Sequence, residues 1–239
     1  MLELFVTGAE KNSGKILVTA GLAATMQSLG YSTGVYKPVE TSAVIKNGYI
    51  QSPDLAFVKF CDPYIKTYFT YLLKSKSSPL LSAAAEKTLI DRNKILQDYQ
   101  SLTDLNECMI IDGNNGLATP YGKNFLEKDM VQSLDVPLLF VISPYTSSIN
   151  NVIMSINQAE SCGIKLRGVI INDYPENPQD MDIKLLPKMI EEYSSAKVMG
   201  ILPSLKNFRM INPNDIITNI LSGVDIEGIF QIRIAKLSM

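Results

Sequence analysis

The sequence predicts an α/β fold with three layers, α/β/α, around a mainly parallel central sheet. Short β-branched runs alternate with longer amphipathic stretches, which is typical of parallel strands connected by helices. Several of the predicted strands are apolar throughout, as expected for strands covered on both faces. The chain has 239 residues, of which 46% are hydrophobic, and this is enough to build a large core.

This alternation predicts six strands and seven helices. The strands cover residues 2–7, 33–36, 108–111, 138–142, 168–171 and 198–201. The helices cover residues 15–29, 53–60, 92–102, 125–134, 147–162, 182–193 and 214–221. No repeat or Gly/Ser-rich linker interrupts the pattern, so we expect one domain over residues 1–239. Residues 223–239 fit either a strand or a last helix, and we assign no function to this tail.

The composition excludes several classes of partner and mechanism. The chain has 22 basic and 24 acidic residues, a net charge of −2, and no long run of one sign. We therefore expect neither nucleic acid nor a membrane surface as a partner. The longest apolar stretches fall well short of the about 20 residues that a membrane span needs. The chain contains no histidine, which excludes an imidazole base or an imidazole metal ligand.

The amino terminus and the cysteines predict a cytoplasmic protein. Residues 1–8 lack the basic flank and long apolar region of a signal peptide, and we expect them to form the first strand. Cys61, Cys108 and Cys162 are odd in number, far apart in sequence and form no C-x-x-C pair. We expect them to be reduced, as thiols are in the cytoplasm.

The stretch after the first strand has the pattern of a phosphate-binding loop. Gly8 ends the strand, five residues follow, and Gly14-Lys15 opens a helix. Amides at a helix start bind anions, and a lysine here reaches the β- and γ-phosphates of a nucleotide. A chance Gly-Lys pair is the alternative, but the position after the first strand favours phosphate binding. The candidate nucleotide-binding residues are Gly8, Lys11, Asn12, Ser13, Gly14, Lys15 and Ile16.

Polar residues also follow other predicted strands, at the edge where ligands of open α/β sheets bind. Lys37 follows the second strand, and Pro38 restricts the backbone there, although a lysine in this place is often a solvated surface charge. Asp112 ends the third strand, where it can support Mg²⁺ or start a turn with Gly113. Asp54 lies in a first helical turn, where complementing the helix dipole is the simpler explanation.

Three further positions are ambiguous from the residues alone. The amide of Asn172 has a donor and an acceptor that suit a purine edge, but an Asn-Asp pair also starts turns. Ser147 and Asn150 can cap a helix or donate to an anionic ligand.

Taken in order, these stretches resemble the dethiobiotin synthetase family of P-loop NTPase-like enzymes, from about Phe5 to Pro203. The expanded Gly-x5-Gly-Lys spacing of that family is matched from Gly8 to Lys15. Its other motifs are matched, in chain order, by Tyr36-Lys37-Pro38-Val39 with Thr41, Asp54, SPLLSAAAE from Ser78 to Glu86, Asp112-Gly113-Asn114-Asn115-Gly116 with Pro120, Ile149-Asn150, Asn172-Asp173, and Gly200 to Pro203.

The resemblance implies an ATP-dependent ring closure of 7,8-diaminononanoate with CO₂, taken from bicarbonate, to dethiobiotin in biotin biosynthesis. It implies Mg²⁺ as cofactor, and a homodimer in which the neighbouring subunit supplies part of the substrate pocket. It implies catalytic roles for Lys15, Lys37 and Thr41, and Mg²⁺ binding by Asp54 and Asp112. Asn172, on the adenine side, and Pro203 are implied to bind nucleotide. The implied substrate-binding residues are Lys37, Thr41, Asn114, Ser147 and Asn150.

The sequence departs from the family pattern at several positions of this site. Ile16 replaces the metal-binding threonine, Lys11 stands where threonine is usual, and Asp112 replaces glutamate. Further departures are Asn114, Asn115, Leu80 and Asn151. Phosphoryl transfer needs mainly positioning and neutralisation of charge, and Mg²⁺ tolerates the loss of one hydroxyl ligand. A working synthetase is therefore favoured, and a catalytically impaired nucleotide- or ligand-binding relative is the alternative.

Two other classes of protein with this type of loop agree less well with the sequence. Partition-type ATPases carry a second lysine five positions before the loop lysine, where this chain has Glu10. Glutamine-dependent amidases of the cobyrinate type add a second domain, which we do not expect in 239 residues.

Overall fold

A computed structural model describes residues 1–204 and 212–234 and confirms the predicted α/β architecture. Its strands are β1 (Leu2–Gly8), β2 (Thr33–Thr41), β3 (Val44–Lys46), β4 (Tyr49–Gln51), β5 (Lys66–Leu73), β6 (Cys108–Asp112), β7 (Pro120–Gly122), β8 (Phe125–Leu126), β9 (Leu138–Ile142), β10 (Leu166–Tyr174) and β11 (Val198–Pro203). Its helices are α1 (Lys15–Ser28), α2 (Pro53–Cys61), α3 (Pro79–Ala85), α4 (Arg92–Thr103), α5 (Glu127–Leu134), α6 (Ile149–Ser161), α7 (Met181–Tyr193), α8 (Pro213–Gly223) and α9 (Ile226–Phe230).

Seven parallel strands form the central sheet, in the order β11-β10-β9-β1-β6-β2-β5. Two apolar clusters cover its faces. Leu4 and Val6 pack on one face with residues of α1, α2, α8 and α9, whereas Phe5 packs on the other face with residues of α4, α5, α6 and α7. Because successive residues of a strand point to opposite faces, a strand buried on both sides must be apolar throughout. This explains the continuous apolar runs of the sequence.

The pairing of the inner strands brings three loops to one edge. β1 lies between β9 and β6, with Val6 opposite Asp112. β6 pairs in turn with β2, with Tyr36 opposite Ile111. The carboxyl ends of β1, β2 and β6 are therefore neighbours, and the loops that follow them converge at the same edge of the sheet.

The structure corrects several predicted boundaries. Strand β5 and helix α3 were not predicted, although residues 66–73 are rich in the aromatic and β-branched types that favour strands. The helix predicted for residues 125–134 begins only at Glu127, because Phe125–Leu126 pairs with Pro120–Gly122 as a small hairpin. The second strand continues beyond the predicted end at Tyr36, because β5 pairs with it as far as Thr41.

The ambiguous tail contains a short helix. Ile226–Phe230 forms α9, with Asp225 as its amino-terminal cap, and residues 235–239 lie outside the described part of the chain. No helix within residues 1–204 and 212–234 is long and apolar enough to cross a membrane.

Candidate active site

The loop between β1 and α1 has the backbone of an anion-binding turn. Gly14 precedes α1 with φ +75° and provides no side-chain cap, and the first turn of the helix contains no acidic residue. The amides of Leu17 and Val18 donate to the Gly14 carbonyl, whereas the amides of Lys15 and Ile16 meet no backbone acceptor within the described residues. Free amides at the positive end of a helix dipole attract an anion such as phosphate.

Two lysines meet at one buried aspartate beside this loop. Lys15 Nζ lies 2.5 Å from Asp112 Oδ1, and Lys37 Nζ lies 2.5 Å from Asp112 Oδ2. Lys37 Nζ also donates to Asp54 Oδ2 at 2.9 Å and to the Gly113 carbonyl at 3.0 Å. The Lys37 side chain is only 2% exposed. It is therefore a fixed buried cation, and the alternative of a solvated surface charge is wrong.

Burial and charge act in opposite directions on these groups. Burial alone lowers the pKa of the Lys37 ammonium, but the negative charges of Asp112 and Asp54 outweigh it and hold that pKa above its ordinary value. Burial raises the pKa of the Asp112 carboxyl, but Lys15 and Lys37 outweigh burial and the pKa is lowered. The edge of the sheet thus holds ionised groups of both signs in a fixed arrangement.

A cavity of about 420 Å³ opens above this ion-pair cluster. Its lining contains seven residues that the sequence analysis selected: Lys11, Asn12, Lys15, Lys37, Thr41, Asp54 and Asn114. It also contains residues that were not selected as functional: Glu40, Ser42, Pro53, Lys76, Ser77 and Asn115. Asp112 is not among the lining residues, but it contacts Lys15 and Lys37, which are.

The carboxylates at this edge fit a Mg²⁺ ion that is bound together with a nucleotide. Asp54 is 30% exposed and uses only Oδ2 to bind Lys37, so Oδ1 is available for a cation. Both oxygens of Asp112 accept from lysines. No group of three or more acidic or cysteine side chains within the described residues forms a metal cage. Mg²⁺ commonly takes one or two carboxylates, waters and phosphate oxygens, so one free carboxylate suits it.

The side chains at the start of α1 show the surroundings of Ile16 and of the next hydroxyl in the helix. Ile16 is partly buried, and its side chain packs against the apolar cluster that contains Leu4 and Val6. One turn later, the Thr19 hydroxyl donates to Asp112 Oδ1 at 3.1 Å. The hydroxyl nearest to the ion-pair cluster in this helix therefore supports the aspartate.

Asn172 lies against the loop between β1 and α1. Its Nδ2 donates to the Ser13 carbonyl at 3.0 Å, and a Cβ atom placed on Gly14 would lie 2.0 Å from that nitrogen. This close contact and the φ of +75° together favour glycine at position 14. Pro203 ends β11 opposite Tyr174 and belongs, with Leu17, to a small apolar crevice. Neither Asn172 nor Pro203 lines the 420 Å³ cavity.

Ser147 and Asn150 are not part of the central cavity. Ser147 is buried and lines a separate cavity of about 520 Å³ with residues of α7, and its Oγ has no hydrogen-bond partner among the described residues. Asn150 is exposed at the start of α6, where it contacts Asn151 and Met154. Within one chain, these two predicted substrate-binding residues therefore lie apart from Lys37, Thr41 and Asn114, which line the central cavity.

A buried polar network that the sequence analysis missed supports the loop after β6. The Glu127 carboxylate accepts hydrogen bonds from the Thr7 hydroxyl, from the backbone amide of Asn114 at 2.6 Å and from the Tyr121 hydroxyl at 2.9 Å. Asn114 Nδ2 also donates to Tyr121 at 2.6 Å. The network joins the end of β1 to the cavity-lining loop. A glutamate at a helix start resembles ordinary dipole complementation, so its sequence gives no sign of this role.

Replacing Glu127 with glutamine should destabilise the protein by about 1 kcal/mol at pH 5, because an amide nitrogen then faces converging donors. The loss should be smaller at pH 8. Burial raises the pKa of Glu127 in the folded state. Ionisation of Glu127 therefore destabilises the folded protein when the pH rises above the pKa that this group has in the unfolded chain. Glutamine does not ionise, so the variant lacks this loss of stability.

Urea unfolding of both proteins at the two pH values measures this difference. The matched control is Glu107→Gln, because Glu107 accepts from the Ser32 amide on the surface. We expect the control to change stability by less than about 0.5 kcal/mol at either pH. An equal loss for Glu127→Gln at pH 5 and pH 8 would contradict the assignment of a raised pKa.

Comparison with known proteins agrees with this geometry. A family model described as an AAA domain matches residues 3–210. The ATP-dependent dethiobiotin synthetase of Bacillus subtilis is 27% identical over 210 residues, which cover 87% of this chain and 89% of that protein. The protein of the same description from Methanococcus vannielii is 30% identical over 209 residues, which cover 86% of this chain and 95% of that protein. The chain belongs to the dethiobiotin synthetase family within this AAA-domain group.

Solved structures place this dethiobiotin synthetase-family chain in a wider fold group. The septum site-determining protein MinD of Pyrococcus horikoshii, in complex with Mg-ADP, aligns with a TM-score of 0.58 at 15% identity, over 91% of this chain and 86% of that one. Cobyrinic acid a,c-diamide synthase of Mycobacterium smegmatis aligns with a TM-score of 0.57 at 13% identity, over 92% and 94%. These similarities concern the fold, and they confirm its P-loop NTPase-like class.

Proposed function

We propose that the chain catalyses the ATP-dependent ring closure of 7,8-diaminononanoate with CO₂ to dethiobiotin. The observation that carries this proposal is the buried contact of Lys15 and Lys37 with Asp112, directly between the phosphate loop and the central cavity. Family membership supports the reaction class. We further propose that residues 1–239 act as one domain.

Each lysine has a separate task in this proposal. Lys15, at the end of the phosphate loop, turns from Asp112 to the β- and γ-phosphates of ATP. Lys37 donates hydrogen bonds to Asp112 and Asp54, which fix the position of its ammonium group. From this position the ammonium stabilises the carbamate of the substrate. Such fixed charges lower the barrier of phosphoryl transfer because they need no reorganisation during the reaction.

The remaining cavity residues bind and orient the substrate. Thr41 and Asn114 line the cavity and provide neutral hydrogen-bonding groups for the carbamate and the diamine. Asp54 would hold Mg²⁺ through its free oxygen, and Asp112 would contribute a second carboxylate if Lys15 turned to the phosphates. The bound ion neutralises charge on the phosphate oxygens. Asn172 and Pro203 flank the loop on the side proposed for the adenine.

A homodimer completes the proposed substrate pocket. Ser147 and Asn150 do not line the central cavity of their own chain. We therefore propose that they approach the carboxylate of a substrate bound in the neighbouring subunit. Replacing Asn150 is then expected to affect the Michaelis constant of the diamine rather than that of ATP.

A second candidate function is ligand binding without turnover, and Ile16 is the observation in its favour. It places a hydrocarbon side chain where many related loops place a metal-binding hydroxyl. The two candidates make different predictions for one assay, the release of phosphate from ATP with Mg²⁺, bicarbonate and 7,8-diaminononanoate.

For a working synthetase, the unmodified chain should release phosphate only when the diamine is present. The Ile16→Thr variant should differ from it by less than about 10-fold in rate, since loss or gain of one Mg²⁺ ligand is tolerated. Ile217→Thr is the control, because Ile217 packs against the same apolar cluster from α8. We expect both variants to lose about 1 kcal/mol of stability. No release from the unmodified chain, with release from Ile16→Thr, would identify a binding protein.

A further inference from the structure

Glu40 is a buried carboxylate on the wall of the central cavity. It lies on β2, three residues after Lys37, and is only 4% exposed. Its Oε2 accepts a hydrogen bond from the Ser52 hydroxyl. Within the described residues no other donor reaches this carboxylate, so Oε1 is left for a group inside the cavity.

Within the described residues, no lysine of the cavity forms an ion pair with Glu40. Lys37 gives its hydrogen bonds to Asp54, Asp112 and the Gly113 carbonyl. Lys15 pairs with Asp112, and Lys11 and Lys76 line the same cavity. Asp54 and Asp112 add negative charge from α2 and β6. A positively charged or hydrogen-bearing nitrogen in the cavity would therefore find in Glu40 an acceptor that no lysine occupies.

The same surroundings make Glu40 a base suited to neutral pH. Burial raises the pKa of its carboxyl, and the negative charge of Asp54 raises it further. The charge of Lys37 and the hydrogen bond from Ser52 lower it. The resulting pKa is about 7. The chain contains no histidine that could serve instead. A base is most effective when its pKa lies near the working pH.

We propose that Glu40 is a further catalytic residue, whose Oε1 accepts a hydrogen bond from an amino group of the diamine and removes its proton during ring closure. This inference rests on the proposed function. In that step the amine nitrogen forms a bond to the carbonyl carbon of the phosphorylated carbamate. The C–O bond to phosphate breaks, and its electron pair leaves with the phosphate. The proton that the nitrogen loses passes to Glu40 and from there to solvent.

The test compares Glu40→Gln with Glu176→Gln, the same change at an exposed position. Steady-state rates of dethiobiotin formation are measured between pH 5.5 and 9, with the Michaelis constants of ATP and diamine.

We expect Glu40→Gln to lower kcat at least about 100-fold, the usual contribution of a general base. The Michaelis constant of ATP should stay within about twofold, because Glu40 is not on the phosphate loop. We expect the rate of the unmodified enzyme to fall below about pH 7, where Glu40 becomes protonated. This fall should be absent in Glu40→Gln, and Glu176→Gln should match the unmodified enzyme.

A second variant tests the inference if Glu40→Gln fails to fold. Ser52→Ala removes the hydrogen bond that lowers the pKa of Glu40, so the acid side of the rate profile should move to higher pH. The inference would be overturned if the acid side of the rate profile did not move in Ser52→Ala. It would also be overturned if folded Glu40→Gln kept the kcat and the pH profile of the unmodified enzyme. Neither result would contradict the synthetase activity of the unmodified chain. Absence of diamine-dependent phosphate release from the unmodified chain would instead refute the proposed function.

Discussion

Replacement of Lys37 with methionine should lower the rate of phosphate release by about 10²- to 10³-fold, the usual effect of removing one preorganised charge from a reaction centre. The same variant should lose about 3 kcal/mol of stability, because removing one partner of a buried ion pair leaves the other charge undercompensated. Asp112 is completely buried and, among the described residues, would keep only Lys15 and Thr19 as side-chain partners.

The control for this prediction is an exposed ion pair of the same chemistry. Lys94 contacts Asp98 at 3.3 Å on the surface of α4, with 51% of its side chain exposed. Lys94→Met should cost less than about 0.5 kcal/mol and leave the rate unchanged, because solvent screens such pairs. Urea unfolding and the phosphate assay measure both effects. If Lys37→Met behaved like Lys94→Met, the buried cluster would have neither the energetic nor the catalytic role described.

Substitution of Gly14 with alanine should weaken ATP binding by more than about tenfold and destabilise the protein by about 2 kcal/mol or more, because both strain and a clash act at this position. Gly14 has φ +75°, and the added Cβ would lie 2.0 Å from Asn172 Nδ2. Asn172 must then leave the Ser13 carbonyl, which it contacts at 3.0 Å. Calorimetric titration with ATP and Mg²⁺, together with thermal unfolding, measures both losses.

Two further variants separate the strain from the clash. Gly30→Ala has a similar backbone strain, at φ +97°, but its Cβ would meet no atom within 4 Å, so only the cost of the strain should appear. Adding Asn172→Ala to Gly14→Ala should recover the part of the stability that the clash removed. If the double variant were as unstable as the sum of the two single variants, contact between position 14 and Asn172 would not explain the requirement for glycine.

The sequence predicted the elements that local pattern governs. Apolar runs placed the inner strands, since a strand covered on both faces has to be apolar along its whole length. The spacing from Gly8 to Lys15 predicted the turn that connects β1 to α1, because a turn of this kind depends on a few backbone positions that only adjacent residues control. The edge strand Lys66–Leu73 escaped prediction because its residues are only half-buried and their pattern is correspondingly weak.

The predicted residues at the sheet edge came together only in part. Lys15, Lys37, Asp54 and Asp112 meet as one cluster, as expected from strand ends that share an edge. Glu40 and Glu127 were missed, because nothing in their neighbouring sequence distinguishes a buried, functional carboxylate from a solvated one. Their burial depends on Ser52 in the first case and on Thr7 and Tyr121 in the second.

By itself, the sequence therefore determined the fold class, the turn between β1 and α1 and the identity of the charged residues at strand ends. Only the tertiary structure decided which of those charges are buried, which are paired and which face the cavity. The physical reason is that the pKa and the orientation of a charged side chain depend on desolvation and on partners far away in the chain, and strand pairing alone brings those partners within reach.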